Sequence, residues 1–228
     1  MKRETLKAVT DARADGRSVV LATRVDTGEE RVIVPSQAAA DALSQAASKA
    51  AQRDQSASVD VDGATWFLNV FNPSPKLYIV GAVHIAQPLS QMGALAGFDV
   101  VVIDPRTAFA TNERFPNLHL IAAWPDEALA DLPLDMRTAV VTLTHDPKLD
   151  DPALVAALRS PAFYVGSLGS KKTHAARIGR LKALGFDDAT IARIRGPVGL
   201  DIGAVSPAEI AVSIMAQIVE TLRGPKTS

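Results

Sequence analysis

Tyr78-Ile-Val-Gly-Ala-Val-His84 is an apolar run that breaks into a glycine-bearing turn. Two later stretches repeat the pattern: Val141-Thr-Leu-Thr-His-Asp146 and Tyr164-Val-Gly-Ser-Leu-Gly-Ser-Lys-Lys172. Strand, turn, helix, several times over, is the order of elements in a parallel α/β sheet. Around these turns, strands are predicted at 76–80, 99–104, 118–121, 138–143 and 162–165. Helices are predicted at about 86–96, 125–131, 152–158, 171–184, 188–194 and 207–222. Asp151-Pro152 reads as an N-cap followed by a proline at the first helical position. Ser206-Pro-Ala-Glu209 reads as a capping box. The fold class is α/β, a doubly wound parallel sheet, and in such sheets ligands sit beyond the carboxyl ends of the strands.

The composition shifts at Asn72-Pro-Ser-Pro-Lys76, a semi-rigid connector. The boundary falls there: residues 1–72 form a small α+β N-terminal domain and 73–228 the domain that carries the turns. Upstream, residues 4–15 read as a helix, Ser18 to Val25 and Arg31 to Val34 as strands around Thr27-Gly28, and 36–52 as an alanine-rich helix started by Ser36. Val59-Asp-Val-Asp-Gly63 and Trp66-Phe-Leu-Asn-Val-Phe71 read as a hairpin about Asp62-Gly63. Such a short segment is marginal for an independent core, so it packs on the second domain or on a second copy of the chain.

The chain has 228 residues, 47% of them hydrophobic, which is enough for a sizeable core. A net charge of −1 gives no general pull toward nucleic acid or an anionic membrane. There are no cysteines, which excludes disulfides, thiolate metal sites and a cysteine nucleophile. No apolar run is long enough to span a bilayer, and the charged N-terminus lacks the apolar core of a signal peptide. The default location is the cytoplasm.

The first turn is compared with the dinucleotide fingerprint, G-x-G-x-x-G after a strand with an acidic residue about 20 positions on. Gly81-Ala-Val-His-Ile-Ala86 keeps only the first glycine. Val83 puts a Cβ where a pyrophosphate would approach the backbone, while Ala86 is an acceptable third position. Asp104 stands 23 residues past Gly81. It reads either as the acid that meets a ribose or as a strand-ending carboxylate that caps Arg106. Pro88 moves the helix start to about Ala86, or kinks it.

At the second turn, Thr144, His145 and Asp146 can bind a metal, move a proton or grip a phosphate, or His145 can simply hydrogen-bond its loop. His145 and Asp146 are the candidates for any catalytic role. His84 faces them from the first turn, whereas His119 and His174 read as structural. The third turn, Gly166 to Lys172, is not a Walker A motif. Ser170 reads as an N-cap, which puts Lys171 and Lys172 in the first helical turn, where cations oppose the helix dipole by a few tenths of a kcal/mol each, up to about 1. A bound anion would offset that; solvated lysines are the alternative. Gly196-Pro-Val-Gly-Leu-Asp-Ile-Gly203 leads into the capping box, with Gly199 and Gly203 allowing a tight course and Asp201 able to face the crevice. Glu209 reads as the capping-box acid.

In order and spacing, these segments resemble the XdhC family, the CoxI-like accessory proteins of molybdenum hydroxylases. The resemblance covers about residues 77–222 and rests on Gly81-Ala-Val-His84, Asp104-Pro-Arg106 with Arg114-Phe-Pro116, Thr144-His145, Tyr164 to Ser170, and Pro197 to Gly203 with Pro207-Ala-Glu-Ile-Ala211. It implies a Rossmann-like domain. It also implies a dedicated chaperone rather than a turnover enzyme, one that carries the molybdenum cofactor, oversees its sulfuration and inserts it into a xanthine dehydrogenase-like client. The cofactor would be molybdopterin or its cytosine dinucleotide form. Gly81, His84, Asp104, Arg106, Thr144, His145, Gly166, Gly169, Ser170, Lys171, Lys172, Gly199, Asp201 and Gly203 are the candidate cofactor-binding residues. The chain departs from the family in two ways. It lacks the N-terminal cysteines implicated in holding the cofactor, so any sulfur comes from a separate cysteine desulfurase. Val83 also replaces the usual glycine-rich first loop.

Two other functions compete: an NAD(P)-dependent oxidoreductase with a small fused cap, and a non-catalytic Rossmann module for protein contacts. Val83 opposes the first. The glycine-lysine turn and the two histidines oppose the second. Trp66 to Phe71 is apolar on both faces, and the alanine-rich helix lacks bulk to cover the second, which predicts a homodimer.

Overall fold

Two tight turns fold the start of the chain into an antiparallel sheet. The structure is a computed structural model that describes residues 2–35 and 41–224. Helix α1 (Arg3–Ala14) precedes β1 (Val19–Arg24) and β2 (Glu30–Ile33); helix α2 (Ala42–Arg53) precedes β3 (Ala57–Val61) and β4 (Ala64–Phe71). The sheet order is β2-β1-β4-β3. Asp62 (φ 51°) and Gly63 (φ 75°) take the two left-handed positions of the β3–β4 hairpin turn. Asp41 caps α2, its side chain accepting from the Ser44 N–H. The predicted start at Ser36 lies outside the described residues.

The alanine-rich helix corrects one sequence expectation. Trp66 and Leu68 of β4, with Val20 and Ala22 of β1, are buried against Leu43, Ala47, Ala50 and Ala51 of α2. Small side chains do not leave the sheet uncovered; they let the helix approach it closely. The opposite face holds Val19, Leu21 and Phe71 against Val9 and Ala12 of α1. One face of β4 is thus covered within this unit by α2, and the other is covered by α1 at Phe71, which weakens the argument that drove the homodimer prediction. Phe67 stays 42% exposed.

Ser74–Thr221 forms the second compact unit; the chain to Pro73, with the stretch from Leu222, forms the first. In the second, β5 (Lys76–Val80), α3 (Ala86–Leu95), β6 (Asp99–Ile103), β7 (His119–Ile121), α4 (Pro125–Asp131), β8 (Thr138–Thr142), α5 (Pro147–Leu158), β9 (Tyr164–Ser167), α6 (Lys171–Ala183), α7 (Asp188–Ile191), β10 (Ile194–Arg195) and α8 (Pro207–Arg223) follow in order. The six strands are parallel in the order β10-β9-β8-β5-β6-β7. Chain order reverses between β5 and β8, the arrangement of a Rossmann sheet with its switch point there. Leu154, Ala157 and Leu158 of α5 and Leu181 of α6 pack on Tyr78, Val80, Val140 and Val165. On the other face α3 lies so close that a Cβ on Gly93 would stand 2.8 Å from Leu77.

Three element boundaries differ from the sequence prediction. Helix α5 begins five residues earlier, with Asp146 rather than Asp151 as its N-cap and Pro147 in its first turn. Two Asp-Pro pairs compete, and the first wins because Asp151 instead pairs with Arg180 of α6, at 2.5 Å to Nε and 2.9 Å to Nη2. Strand β9 runs on through Gly166, whose missing side chain leaves room for Val198 and Tyr164. Ile194 and Arg195 are not helical but pair with Val165 and Gly166 as an edge strand.

Candidate functional site

The turns after β5, β8 and β9 meet at the carboxyl edge of the sheet. Gly81 shows how closely. It takes φ 106°, a region that disfavours other residues, and a Cβ there would lie 2.5 Å from Cγ2 of Thr144. The first and second turns are therefore in contact at the switch point. Thr142 and Ser167 share a buried 2.5 Å hydroxyl bond that ties the ends of β8 and β9.

The first turn is held from both sides. Asp104 Oδ2 accepts from the Ala82 N–H at 2.8 Å, and Arg114 Nη1 donates to the Ala82 carbonyl at 2.8 Å. Asp104 Oδ1 also accepts from the Arg106 N–H and Nε, both at 2.9 Å, and Oδ2 from Nη2 at 2.7 Å. Burial acts to raise the Asp104 carboxyl, but the Arg106 bonds and the two backbone N–H groups outweigh it and hold it below its ordinary value. Arg106 is raised, first by Asp104, with Asp146 and Asp150 adding attraction across the crevice. Its guanidinium lies 4.7 Å from the Phe109 ring. Of the two readings of Asp104, the geometry matches the strand-ending cap: the side chain is fully buried and both oxygens are engaged.

Helix α3 starts at Ala86, so Pro88 falls in its first turn, where it is tolerated but donates nothing. The Ala86 N–H is given to the Val83 carbonyl at 3.0 Å. With the Ala82 N–H on Asp104, two of the N–H groups of this turn are used inside the protein. Helix α6 differs. Ser170 caps it by accepting from the Thr173 N–H at 3.2 Å, and its first turn holds exposed Lys171 and Lys172 and no acid. Its leading N–H groups have no intrahelical acceptor. Backbone dipole and lysine charge combine at this end.

The second turn rests on a residue that sequence reasoning passed over. Asp150, 1% exposed, accepts from Thr144 Oγ1 at 2.6 Å, the Thr144 N–H at 3.3 Å and the His145 N–H at 3.1 Å. His145 takes φ 67°. Burial pushes the Asp150 carboxyl up, with the Thr144 bonds opposing. Arg177 of α6, also 1% exposed, donates from Nη2 to the Leu168 carbonyl at 3.0 Å and lies 3.7 Å from Asp150. Burial lowers its pKa. Asp150 and Arg177 carried no local signal, and Arg114, although part of the resemblance, gave no hint of its partner, because Ala82 lies 32 residues away.

Of the predicted residues, Gly81, Asp104, Arg106, Thr144, His145 and Asp146 cluster around the switch point. His84 is exposed in the first turn, and Gly166, Gly169, Ser170, Lys171 and Lys172 form the neighbouring α6 start. Gly199 is tied instead to α8, its N–H and C=O bonded to Gln217 at 3.0 and 3.1 Å. Asp201 and Gly203 are exposed, and among the described residues no hydrogen bond or ion pair joins them to the three turns. Glu209 is the capping-box acid, accepting from the Ser206 and Val205 N–H groups at 2.8 Å. His174 is half-buried beside Gly196, with its Nδ1 unbonded among the described residues and its pKa lowered by burial.

Residues 77–218 match the family model described as the XdhC Rossmann domain. The chain is 34% identical over 156 residues to a Bacillus subtilis (strain 168) protein whose name is that of a probable xanthine dehydrogenase subunit, covering 68% of this chain and 45% of that one. It is 32% identical over 157 residues to the Escherichia coli (strain K12) molybdenum cofactor insertion chaperone PaoD, covering 67% of this chain and 43% of that one. The matched stretch is thus less than half the length of either relative. A solved structure described as a xanthine dehydrogenase from Bacillus halodurans superposes with a TM-score of 0.71 at 25% identity, covering 99% of this chain and 66% of that chain.

Proposed function

This chain belongs to the XdhC family, and on that basis we propose that it is a maturation factor that carries the molybdenum cofactor to a xanthine dehydrogenase-like hydroxylase. The cargo is molybdopterin or its cytosine dinucleotide form. The chain holds it while a separate cysteine desulfurase supplies sulfur, then hands it to the client in the cytoplasm. It acts by binding and release, not turnover. The names of the relatives support the maturation role.

The observation that carries the reading is the contrast between two helix starts at one sheet edge. At α3 the Ala82 and Ala86 N–H groups are bonded inside the protein, the first turn carries no lysine or arginine, and Asp104 is closed by Arg106, which opposes a nicotinamide dinucleotide. At α6 the dipole and two lysines face outward with no acid beside them. The donors are backbone N–H groups and cations, and the chain has no cysteine. That chemistry suits the phosphate end of a pterin cofactor rather than its metal end. His84, Arg106 and His145 line the approach from the switch point.

Co-expression in a host that makes the cofactor, with mass analysis of the copurified small molecule, tests the reading. A pterin mass with the unmodified chain, lost on charge reversal of Lys171 and Lys172, is expected. Copurified NAD would overturn it in favour of the oxidoreductase.

A further inference from the structure

Two buried charges connect turns that the sequence separates. Asp150 and Arg177 are each 1% exposed, and neither was needed to explain the sheet. Asp150 collects Thr144 Oγ1, the Thr144 N–H and the His145 N–H. Arg177 holds the Leu168 carbonyl, in the turn that ends at the Ser170 cap. The two side chains face each other at 3.7 Å. Among the described residues Arg177 Nε and Nη1 find no partner, so the guanidinium reaches both the Leu168 carbonyl and Asp150 through Nη2 alone.

This is a poor device for stability. A buried pair must overcome the desolvation of both ions, and apolar residues of the same volume often do as well. It is an effective device for geometry. His145 sits in the left-handed region, at φ 67°, and such a conformation persists only where its surroundings impose it. The Asp150 bonds to Thr144 and His145 do so.

We propose that Asp150 and Arg177 are positioning residues that couple the Thr144–His145 turn to the Leu168–Ser170 turn, so that the setting of one depends on the other. Resting on the phosphate reading of the α6 start, this makes His145 responsive to an anion held there. The warrant is a continuous chain of hydrogen bonds and one ion pair, not proximity.

The test uses the whole chain, backbone amide NMR and inorganic pyrophosphate as probe. Thr144→Val removes one bond to Asp150 and keeps both charges. It should move the amide resonances of Leu168, Gly169 and Ser170, on the other turn. Arg177→Lys should move the Thr144 and His145 amides in the same way. Each should weaken pyrophosphate binding about threefold or more, and the double variant should lose less than the product of the two. Should Arg177→Lys fail to fold, Thr144→Val alone decides. Shifts confined to the substituted turn, or losses that multiply, would overturn the coupling. If the unmodified chain does not bind pyrophosphate, the phosphate reading fails, and the cross-turn shifts still judge the coupling by themselves.

Discussion

Asp104 grips Arg106 two residues away with both carboxylate oxygens, while one of those oxygens also holds the buried N–H of Ala82. The acid at the end of the second strand of the parallel sheet has become a clamp on the first turn. Asp104→Ala should therefore destabilise the protein by about 1–3 kcal/mol, since it leaves a buried donor unpaired. The pH dependence has a definite sign. A carboxyl whose folded pKa lies below its ordinary 3.8 contributes stability above that value and loses it as pH falls through the folded pKa. Urea unfolding between about pH 5 and pH 2 should show a steeper loss in the unmodified protein than in Asp104→Asn. Equal slopes would contradict the clamp.

The lysine-bearing start of α6 makes a second prediction. Charge reversal at Lys171 and Lys172 should lower affinity for inorganic pyrophosphate at least tenfold, about 1.4 kcal/mol. Isothermal calorimetry measures it. An unchanged affinity would mean that the lysines are merely solvated.

NAD and NADP should bind weakly or not at all. Val83 and the closed Asp104 act together, so Val83→Gly should improve any residual binding only modestly. Tight NAD binding by the unmodified chain in calorimetry would defeat this expectation.

A homodimer is still expected, now on a narrower basis. With one face of β4 covered by α2 and the other covered at Phe71, the remaining apolar exposure in this unit includes Phe67 at 42% and Val25 at 62%. Light scattering at micromolar concentration should give twice 24.1 kDa, and Phe67→Asp should return it to one chain. A single-chain mass for the unmodified protein rejects the dimer.

Local patterns were enough to read five of the six parallel strands, because each announced itself as an apolar run ending in a turn; the two-residue edge strand β10 is too short to carry such a pattern. The same holds for the Ser170 cap and the Ser206–Glu209 box: a capping residue and the N–H it satisfies are three positions apart. The Thr144–His145 and Gly166–Lys172 turns were placed at the carboxyl edge for that reason too. Residue order alone therefore dictated most of the succession of elements and the sheet edge at which the three turns meet. Packing in three dimensions chose the side chains that serve that edge. Asp151 lost the cap to Asp146 because Arg180 on another helix claimed it. Asp104 met Ala82, Arg114 met the Ala82 carbonyl, and Asp150 met Arg177 only once the sheet brought their elements together. Hydrogen bonds and ion pairs act over a few ångströms of space, and spacing along the chain records such distances only within a helix, a strand or a turn.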